Sequence, residues 1–337
     1  MNLKNKTFIL FGGTGLIGSY FTKEFIESNL AKKENNNHLV IIDKNPLKII
    51  PDKNINFEFI QKDINKLTKK DIKKLIKTDD LIILNLAAIL GVKNVLESND
   101  YMSSEMTLQL KIKSISDILK NEANVDLFMY FSSSEAYGHQ FYMKEDNYSQ
   151  FDSLLLPTYI RERYGLSKFT FEYLFKEAFP ENFISVRPFN VTGIYQDKNF
   201  VIPKMINDAL TKNKITVYGG NQIRHFIHGK DFSKALFKII ENRVILNNSD
   251  NKILDIINVA NIKNRTKILE LAYKIKKIIK KRLDREIEIE TIDTDDYNII
   301  GHKDRPCDLN QLYFKLKFQP QISLNEIINE FLDYYVK

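Results

Sequence analysis

The stretch Thr7-Phe8-Ile9-Leu10-Phe11-Gly12-Gly13-Thr14-Gly15-Leu16-Ile17-Gly18 decides the fold. Thr7 to Phe11 is a short apolar run that reads as a buried strand, and Ser19 to Ile26 turns helical in pattern. Between them lie closely spaced glycines, which both Gly13-x-Gly15-x-x-Gly18 and Gly12-x-x-Gly15-x-x-Gly18 describe. A buried strand that must become a helix within a few residues needs one glycine for the tight turn. A second lets a pyrophosphate touch bare backbone, and a third brings helix against sheet. The helix N-terminus then offers free N–H groups to phosphate.

Working outward, His38 to Ile42 is a second apolar run that stops at Asp43. An acid at that strand tip hydrogen-bonds ribose hydroxyls and repels a 2′-phosphate, which favours NAD over NADP, although Lys44 next door weakens the exclusion. Asp43 lies beyond the usual interval of about 20 residues from the glycines, and the polar loop Lys32 to Asn37 accounts for the extra length. The alternative is that Asp43 simply terminates the strand. Phe57 to Gln61 reads as a third strand closed by Asp63, Leu67 to Ile76 as a helix, and Leu81 to Leu86 as a fourth strand running into Ala87 and Ala88. Small residues there let a cofactor lie against the backbone, or pack tightly in a core. Met102 to Lys120 is a long helix and Val125 to Phe131 a fifth strand. Strands alternating with helices at this rhythm imply right-handed crossovers and a doubly wound parallel sheet.

Composition narrows the classes. A chain of 337 residues with 43% hydrophobic residues can bury a sizeable core and suggests two domains, or one large α/β domain with an appendage. The single cysteine, Cys307, permits no internal disulfide, so a reducing, cytoplasmic setting is expected. The longest apolar stretch, Leu81 to Val92, contains Asn85 and is too short to span a bilayer, and no signal-peptide layout is visible, so no membrane partner is expected. The net charge is +7, but the lysines are scattered. The densest basic run, Lys274 to Arg285, carries Ile275, Ile278, Ile279 and Leu283 at helical spacing and reads as a helix with one buried and one solvated face. No nucleic-acid partner is expected. His225 and His228 lie three apart without an evident third ligand, so no metal site is assigned.

The chemistry concentrates further on. Tyr130-Phe131-Ser132-Ser133-Ser134-Glu135-Ala136-Tyr137-Gly138 places polar groups where the fifth strand leaves the sheet. Arg161-Glu162-Arg163-Tyr164-Gly165-Leu166-Ser167-Lys168 opens the next helix, with Tyr164 and Lys168 four apart on one face. Moving a hydride from a hydroxyl-bearing carbon to a nicotinamide requires a base for the hydroxyl proton on that carbon. A free tyrosine, with a pKa of about 10, is mostly protonated at neutral pH. Lys168 and the positive ring lower it in this reading, and Ser133 hydrogen-bonds the reacting oxygen.

The glycine triplet, Asp43, the serine cluster and Tyr164-x-x-x-Lys168, in this order and spacing, resemble the extended short-chain dehydrogenase/reductases, the nucleotide-sugar epimerases and dehydratases. The resemblance runs over about residues 5 to 335. It implies an α/β fold with a doubly wound parallel (Rossmann) sheet over residues 1–187. A smaller mixed α/β C-terminal substrate domain follows over 188–337, part of 219–260 packing back on the first. It implies NAD held by Gly12, Gly15, Leu16, Ile17, Gly18, Asp43, Asp63, Ile64, Leu86, Ala87, Ala88, Tyr164 and Lys168, with helix capping as the alternative for Asp63. Ile184 to Gly193 resembles the family segment whose asparagine, here Asn190, meets the substrate diphosphate. Val217 to Asp231 resembles the stretch whose arginine, here Arg224, grips that diphosphate, a task suited to a planar guanidinium. Arg305 resembles a second arginine near the nucleotide, and Ser134 joins the substrate set. A homodimer through Met102 to Lys120 and Thr158 to Glu177 is implied, as is a place in polysaccharide biosynthesis.

Three departures stand out: Glu105 where many relatives carry asparagine, Gly229-Lys230-Asp231 in place of a more acidic segment, and the unusual stretch Leu90 to Asp100. Glu135 bears on the reaction. Ser-Ser-Glu resembles 4,6-dehydratases and uronate decarboxylases, in which a carboxylic acid shuttles a proton, although Glu135 can also serve only the following turn. The reading leans to elimination or decarboxylation through a transient 4-keto sugar. A 4-epimerase, a 4-keto-sugar reductase and a non-catalytic NAD-binding regulatory protein are its alternatives.

Overall fold

The computed structural model of the chain describes residues 3–89, 101–138, 142–145, 160–243, 246, 255–296 and 301–336. The stretch Leu90 to Asp100 and the start of the expected dimer helix at Thr158 lie outside the described residues. Six strands come first: β1 (Lys6–Phe11), β2 (His38–Asp43), β3 (Phe57–Gln61), β4 (Asp80–Asn85), β5 (Asn124–Phe131) and β6 (Phe183–Pro188). Among the described residues seven more follow: β7 (Val191–Thr192), β8 (Lys214–Tyr218), β9 (Ile223–His225), β10 (Ile227–His228), β11 (Ile256–Val259), β12 (Arg265–Lys267) and β13 (Glu288–Ile292).

The main sheet has seven strands in the order β11-β6-β5-β4-β1-β2-β3, and its neighbours pair in parallel. The chain leaves β1 towards β2 and β3, then crosses back to place β4 on the other side, so the switch point falls between β1 and β4. Phe11 pairs with Ile42 on one side and Asn85 on the other, and Asn85 pairs in turn with Tyr130. Gly12, Asp43, Leu86 and the serines after Phe131 therefore leave the sheet at nearly one level, the edge where open α/β sheets bind ligands.

Strand alternation divides the core. Phe8, Leu10, Leu39, Ile41, Ile82 and Leu84 pack on one face with Phe21, Phe25, Phe232 and Leu236. Ile9, Phe11, Val40, Ile42, Leu81 and Ile83 pack on the other with Ile112, Ile115, Leu119, Phe171 and Phe175. A separate cluster joins Ile206, Ile215, Val217, Leu271, Ile275, Ile279, Ile327 and Phe331, beneath the parallel pair β8 and β13. This is the smaller α/β layer. Its helix Ile268–Leu283 buries Ile275 and Ile279 while Lys277, Lys280 and Lys281 are exposed. Among the described residues no helix is long and apolar enough to cross a membrane.

One expected element is shorter than its pattern. The helix read over Leu67 to Ile76 spans only Lys69–Lys73. Thr68 and Asp71 form a capping box that sets its start. The Thr7 hydroxyl accepts the backbone N–H groups of Lys77 and Thr78 at 3.3 and 3.0 Å, which draws the chain out of helix and into β4.

A buried ion pair ties the sheet to the helix Ile160–Ala178. Arg187 and Glu172 are both fully buried. Arg187 Nε donates to Glu172 Oε1 at 2.8 Å, and Ser185 Oγ donates to the same oxygen at 2.8 Å. The guanidinium carbon lies 4.1 Å from the centroid of the Tyr137 ring. Glu172→Ala strands the guanidinium in the core, so a stability loss of about 3–5 kcal/mol is expected. Urea unfolding should show a lower midpoint with an unchanged slope.

Candidate active site

The glycine turn is built for contact with backbone. Gly12 has φ +77°, and a Cβ there would stand 2.6 Å from Ala87 Cα, so β1 and the end of β4 meet without side chains between them. A Cβ on Gly18 would stand 2.3 Å from the Gly13 carbonyl oxygen, which sets the helix Leu16–Glu27 close against the turn. Gly15, the residue before that helix, makes no side-chain cap, and its added Cβ would meet only Gly12 O at 3.7 Å. Space and free N–H groups together suit a phosphate. Asp43, 8% exposed, accepts the Thr14 N–H at 3.1 Å and the Asn45 N–H at 3.0 Å. Its carboxylate is thus pinned at the lip of the turn. This combination fits a dinucleotide. Leu16 and Ile17 are half-buried against the core. Leu86 N–H donates to Phe11 O at 2.9 Å, and Ala88 is half-buried beside it. Asp63 caps the turn Ile64–Lys66 by accepting the Asn65 N–H, and Ile64 is buried.

At the end of β5, Ser133 starts the turn Ser134–Tyr137: its Oγ accepts the Glu135 N–H at 3.1 Å. The same hydroxyl lies near enough to the Tyr164 phenol to lower its pKa. Gly165 makes that meeting possible, because a Cβ there would stand 2.3 Å from Glu135 O. Lys168, one turn along, is 1% exposed. Its Nζ donates to Phe131 O at 3.4 Å and lies 5.8 Å from the Tyr164 ring centroid and 5.2 Å from that of Tyr130.

The charge beside this pair is one that sequence reading noted only as a departure. Glu105, fully buried, sets Oε1 3.6 Å from Lys168 Nζ. Burial first, then Glu105, pushes the Tyr164 phenol up, against a lowering by Ser133. Burial pushes Lys168 down, and Glu105 opposes that. The sequence expectation is that Lys168 and the positive nicotinamide ring together lower the phenol; among the groups of the chain itself the net shift is upward, set first by burial and then by Glu105.

The substrate-side residues are also engaged. Arg305 donates to Ser134 Oγ at 2.8 Å and forms an ion pair with Glu135. A carboxyl that is to pass on a proton must first leave that guanidinium. Arg224, half-buried, donates to the carbonyls of Ile223 and His302 at 2.7 and 2.8 Å. Asn190 takes φ +43° and accepts the Ile227 N–H at 3.3 Å, which joins β7 to β10. The two histidines diverge: His228 Nε2 meets Glu330 at 2.6 Å, whereas His225 faces Cys307 Sγ at 3.9 Å. Among the described residues no three metal-ligating side chains converge.

Sequence reasoning passed over Gly165 and Gln109. Glu105, Gln109, Ile112, Ser116 and Leu119 share the buried stripe of the helix Tyr101–Glu122. Polar residues on an otherwise apolar stripe were the available signal.

Burial lowers His225 from 6.5 to about 4. The unfolded chain binds this proton below about 6.5 and the folded chain only near 4, so stability falls as pH drops through that window. The contribution is about 3 kcal/mol. Urea titrations from neutral to mildly acidic pH should show this decline, and His225→Gln should flatten it.

A family model for the NAD dependent epimerase/dehydratase family matches residues 8–260. The chain is 28% identical over 265 residues to dTDP-D-glucose 4,6-dehydratase of Dictyostelium discoideum, a match covering 71% of this chain and 57% of that protein. The UDP-N-acetylglucosamine 4-epimerase from Methanobrevibacter ruminantium M1, solved with UDP-N-acetylmuramic acid, superposes with a TM-score of 0.72 at 26% identity, over 98% of this chain and 99% of that one. The dTDP-glucose 4,6-dehydratase of Bacillus anthracis, solved with NAD, shares the fold with a TM-score of 0.72 at 19% identity, over 98% and 96% of the two chains. The family match runs from the glycine turn through Asp43 and Ser133 to the Tyr164–Lys168 pair and beyond, and the chain belongs to the NAD dependent epimerase/dehydratase family.

Proposed function

We propose that this chain binds NAD and converts a nucleotide-diphosphate sugar through a transient 4-keto intermediate. The observation that carries the reading is the meeting of Ser133, Tyr164 and Lys168 at the sheet edge that also holds Gly12, Asp43 and Ala87. NAD, when bound, takes up and returns the hydride. The chain's own residues do the rest. Tyr164 removes the hydroxyl proton from the sugar carbon being oxidised, and Ser133 holds that oxygen by hydrogen bond. Lys168 orients the tyrosine and the nicotinamide ribose. Gly12, Gly15 and Gly18 leave room for the pyrophosphate, and Asp43 takes the adenosine ribose. Asp63, Ile64, Leu86 and Ala88 line the dinucleotide in this reading, while Asn190, Arg224 and Arg305 serve the substrate diphosphate. Residues 1–187 would carry the cofactor and 188–337 the sugar nucleotide.

Once C4 is a ketone, the neighbouring proton is acidic, and elimination or decarboxylation needs a second acid. Glu135 is that candidate, released when a substrate phosphate draws Arg305 away. The Glu135–Arg305 pair itself favours a second reading, 4-epimerisation, which needs no second acid. Relatives named for dTDP-, GDP- and UDP-linked sugars make those nucleotides the substrates to test. Exposed Met106 and Leu110 on the helix Tyr101–Glu122 support a homodimer through that face, and the lone cysteine supports a cytoplasmic setting.

Protein incubated with a panel of nucleotide-sugars should convert one of them without added reductant. Product mass reads the branch: loss of water for dehydration, loss of carbon dioxide for decarboxylation, no change for epimerisation. Tyr164→Phe should keep NAD binding and lose about 10²–10⁴-fold in kcat. A variant that turns over normally would overturn the reading.

A further inference from the structure

The buried helix stripe Glu105–Gln109 does more than fill space. Glu105 is fully buried and each of its oxygens has a separate task. Oε2 accepts the Ile89 N–H at 2.8 Å, and Oε1 accepts from Gln109 Nε2 at 3.0 Å and faces Lys168 Nζ at 3.6 Å. Gln109 in turn donates to Ala87 O at 2.8 Å and accepts from Asn85 Nδ2 at 2.9 Å. One connected network therefore joins the backbone beyond β4, which meets Gly12, to the ammonium of the catalytic helix.

Among the described residues the charges around the pair are few. Tyr164 is faced by Glu105 and Tyr101 from the helix Tyr101–Glu122, by Ser133 and Glu135 from the turn after β5, and by Arg305 from the C-terminal segment. Glu135 and Arg305 pair with each other. Lys168 is faced by Glu105, by the rings of Tyr130 and Tyr164, and by Glu172 of its own helix, and Glu172 is already bound to Arg187. Among the described residues, that leaves Glu105 as the direct counter-charge of Lys168.

We propose that Glu105 is a positioning residue of this site: it holds the Lys168 ammonium in place and supplies the negative charge that keeps the tyrosine–lysine couple protonated until a positively charged nicotinamide ring lies beside it. The inference rests on the function proposed above. Its physical content is simple. Two interacting groups titrate as a unit, and a fixed negative charge in a dry site holds a proton on that unit. A neutral amide at the same place would release it. The oxidised ring, carrying positive charge, does the same job reversibly in the wild-type chain, which couples readiness of the base to the redox state of the cofactor.

The test is an ultraviolet titration of tyrosinate in NAD-loaded protein, with the signal of Tyr164 isolated by subtracting the matching Tyr164→Phe variant. In Glu105→Gln the Tyr164 midpoint should fall by about one pH unit or more, and Glu105→Asp, which restores the charge, should return it towards wild type. An unchanged or higher midpoint in Glu105→Gln overturns the proposal. Because no turnover is measured, this result stands apart from failure of the enzymatic reading, which shows instead as normal turnover by Tyr164→Phe. A second measurement does not depend on the stability of Glu105→Gln. Lys168→Met leaves Glu105 buried without its partner, so the double variant Glu105→Gln/Lys168→Met should melt at a higher temperature than Lys168→Met. A double variant no more stable than Lys168→Met overturns the pairing.

Discussion

Everything at the candidate site depends on one close approach, that of Gly12 to the backbone of Ala87. No side chain fits between them, and Gly12 holds a left-handed conformation that a substituted residue would resist. This contact lets β1 and β4 end level at the switch point of the sheet. It also keeps the crevice that their ends border lined by bare peptide. Asp43 completes the arrangement from the next strand, not as a free carboxylate but as an acceptor that fixes the Thr14 and Asn45 amides. The turn is held in its ligand-ready shape by bonds within the chain.

A second theme is the number of charges taken out of water near this crevice. Arg187–Glu172, Lys168–Glu105 and Arg305–Glu135 are buried or nearly so. Such pairs are poor sources of stability, since desolvation offsets most of the attraction, but losing one partner is costly. Each joins different parts of the fold. The first links β6 to the helix Ile160–Ala178, the second links two helices beneath the sheet edge, and the third ties the C-terminal segment to the end of β5. Together they make the position of the candidate-site side chains depend on elements far apart in the chain.

The fold was largely legible because its signals are local. Apolar runs of strand length, a glycine turn and helical spacing describe β1 to β5 and the helices between them, and the alternation of Phe8 and Leu10 against Ile9 and Phe11 follows from strand geometry alone. The helix over Leu67 to Ile76 was overdrawn because its end is set by Thr7, seventy residues away in the sequence. The same contrast runs through the site. Tyr164 and Lys168 share a helix face at four-residue spacing, which any reader of the sequence can see. That Gly165 admits the helix to the Glu135 carbonyl, or that Arg305 occupies the Glu135 carboxylate, depends on contacts between distant segments.

What the sequence determined by itself is the order of strands and helices, the turn that can face a phosphate, and the placing of Tyr164 and Lys168 on one helix face and of Ser133 where β5 leaves the sheet. These follow from backbone sterics and side-chain periodicity, which act over a few residues. The tertiary structure alone decided which charges meet at the site. Glu105 lies about sixty residues before Lys168 and Arg305 well over a hundred after Ser134, and only folding sets carboxylate against ammonium and guanidinium against hydroxyl. In a buried place the interaction of two charges depends steeply on distance and on the exclusion of water, and neither quantity exists until the chain has closed around them.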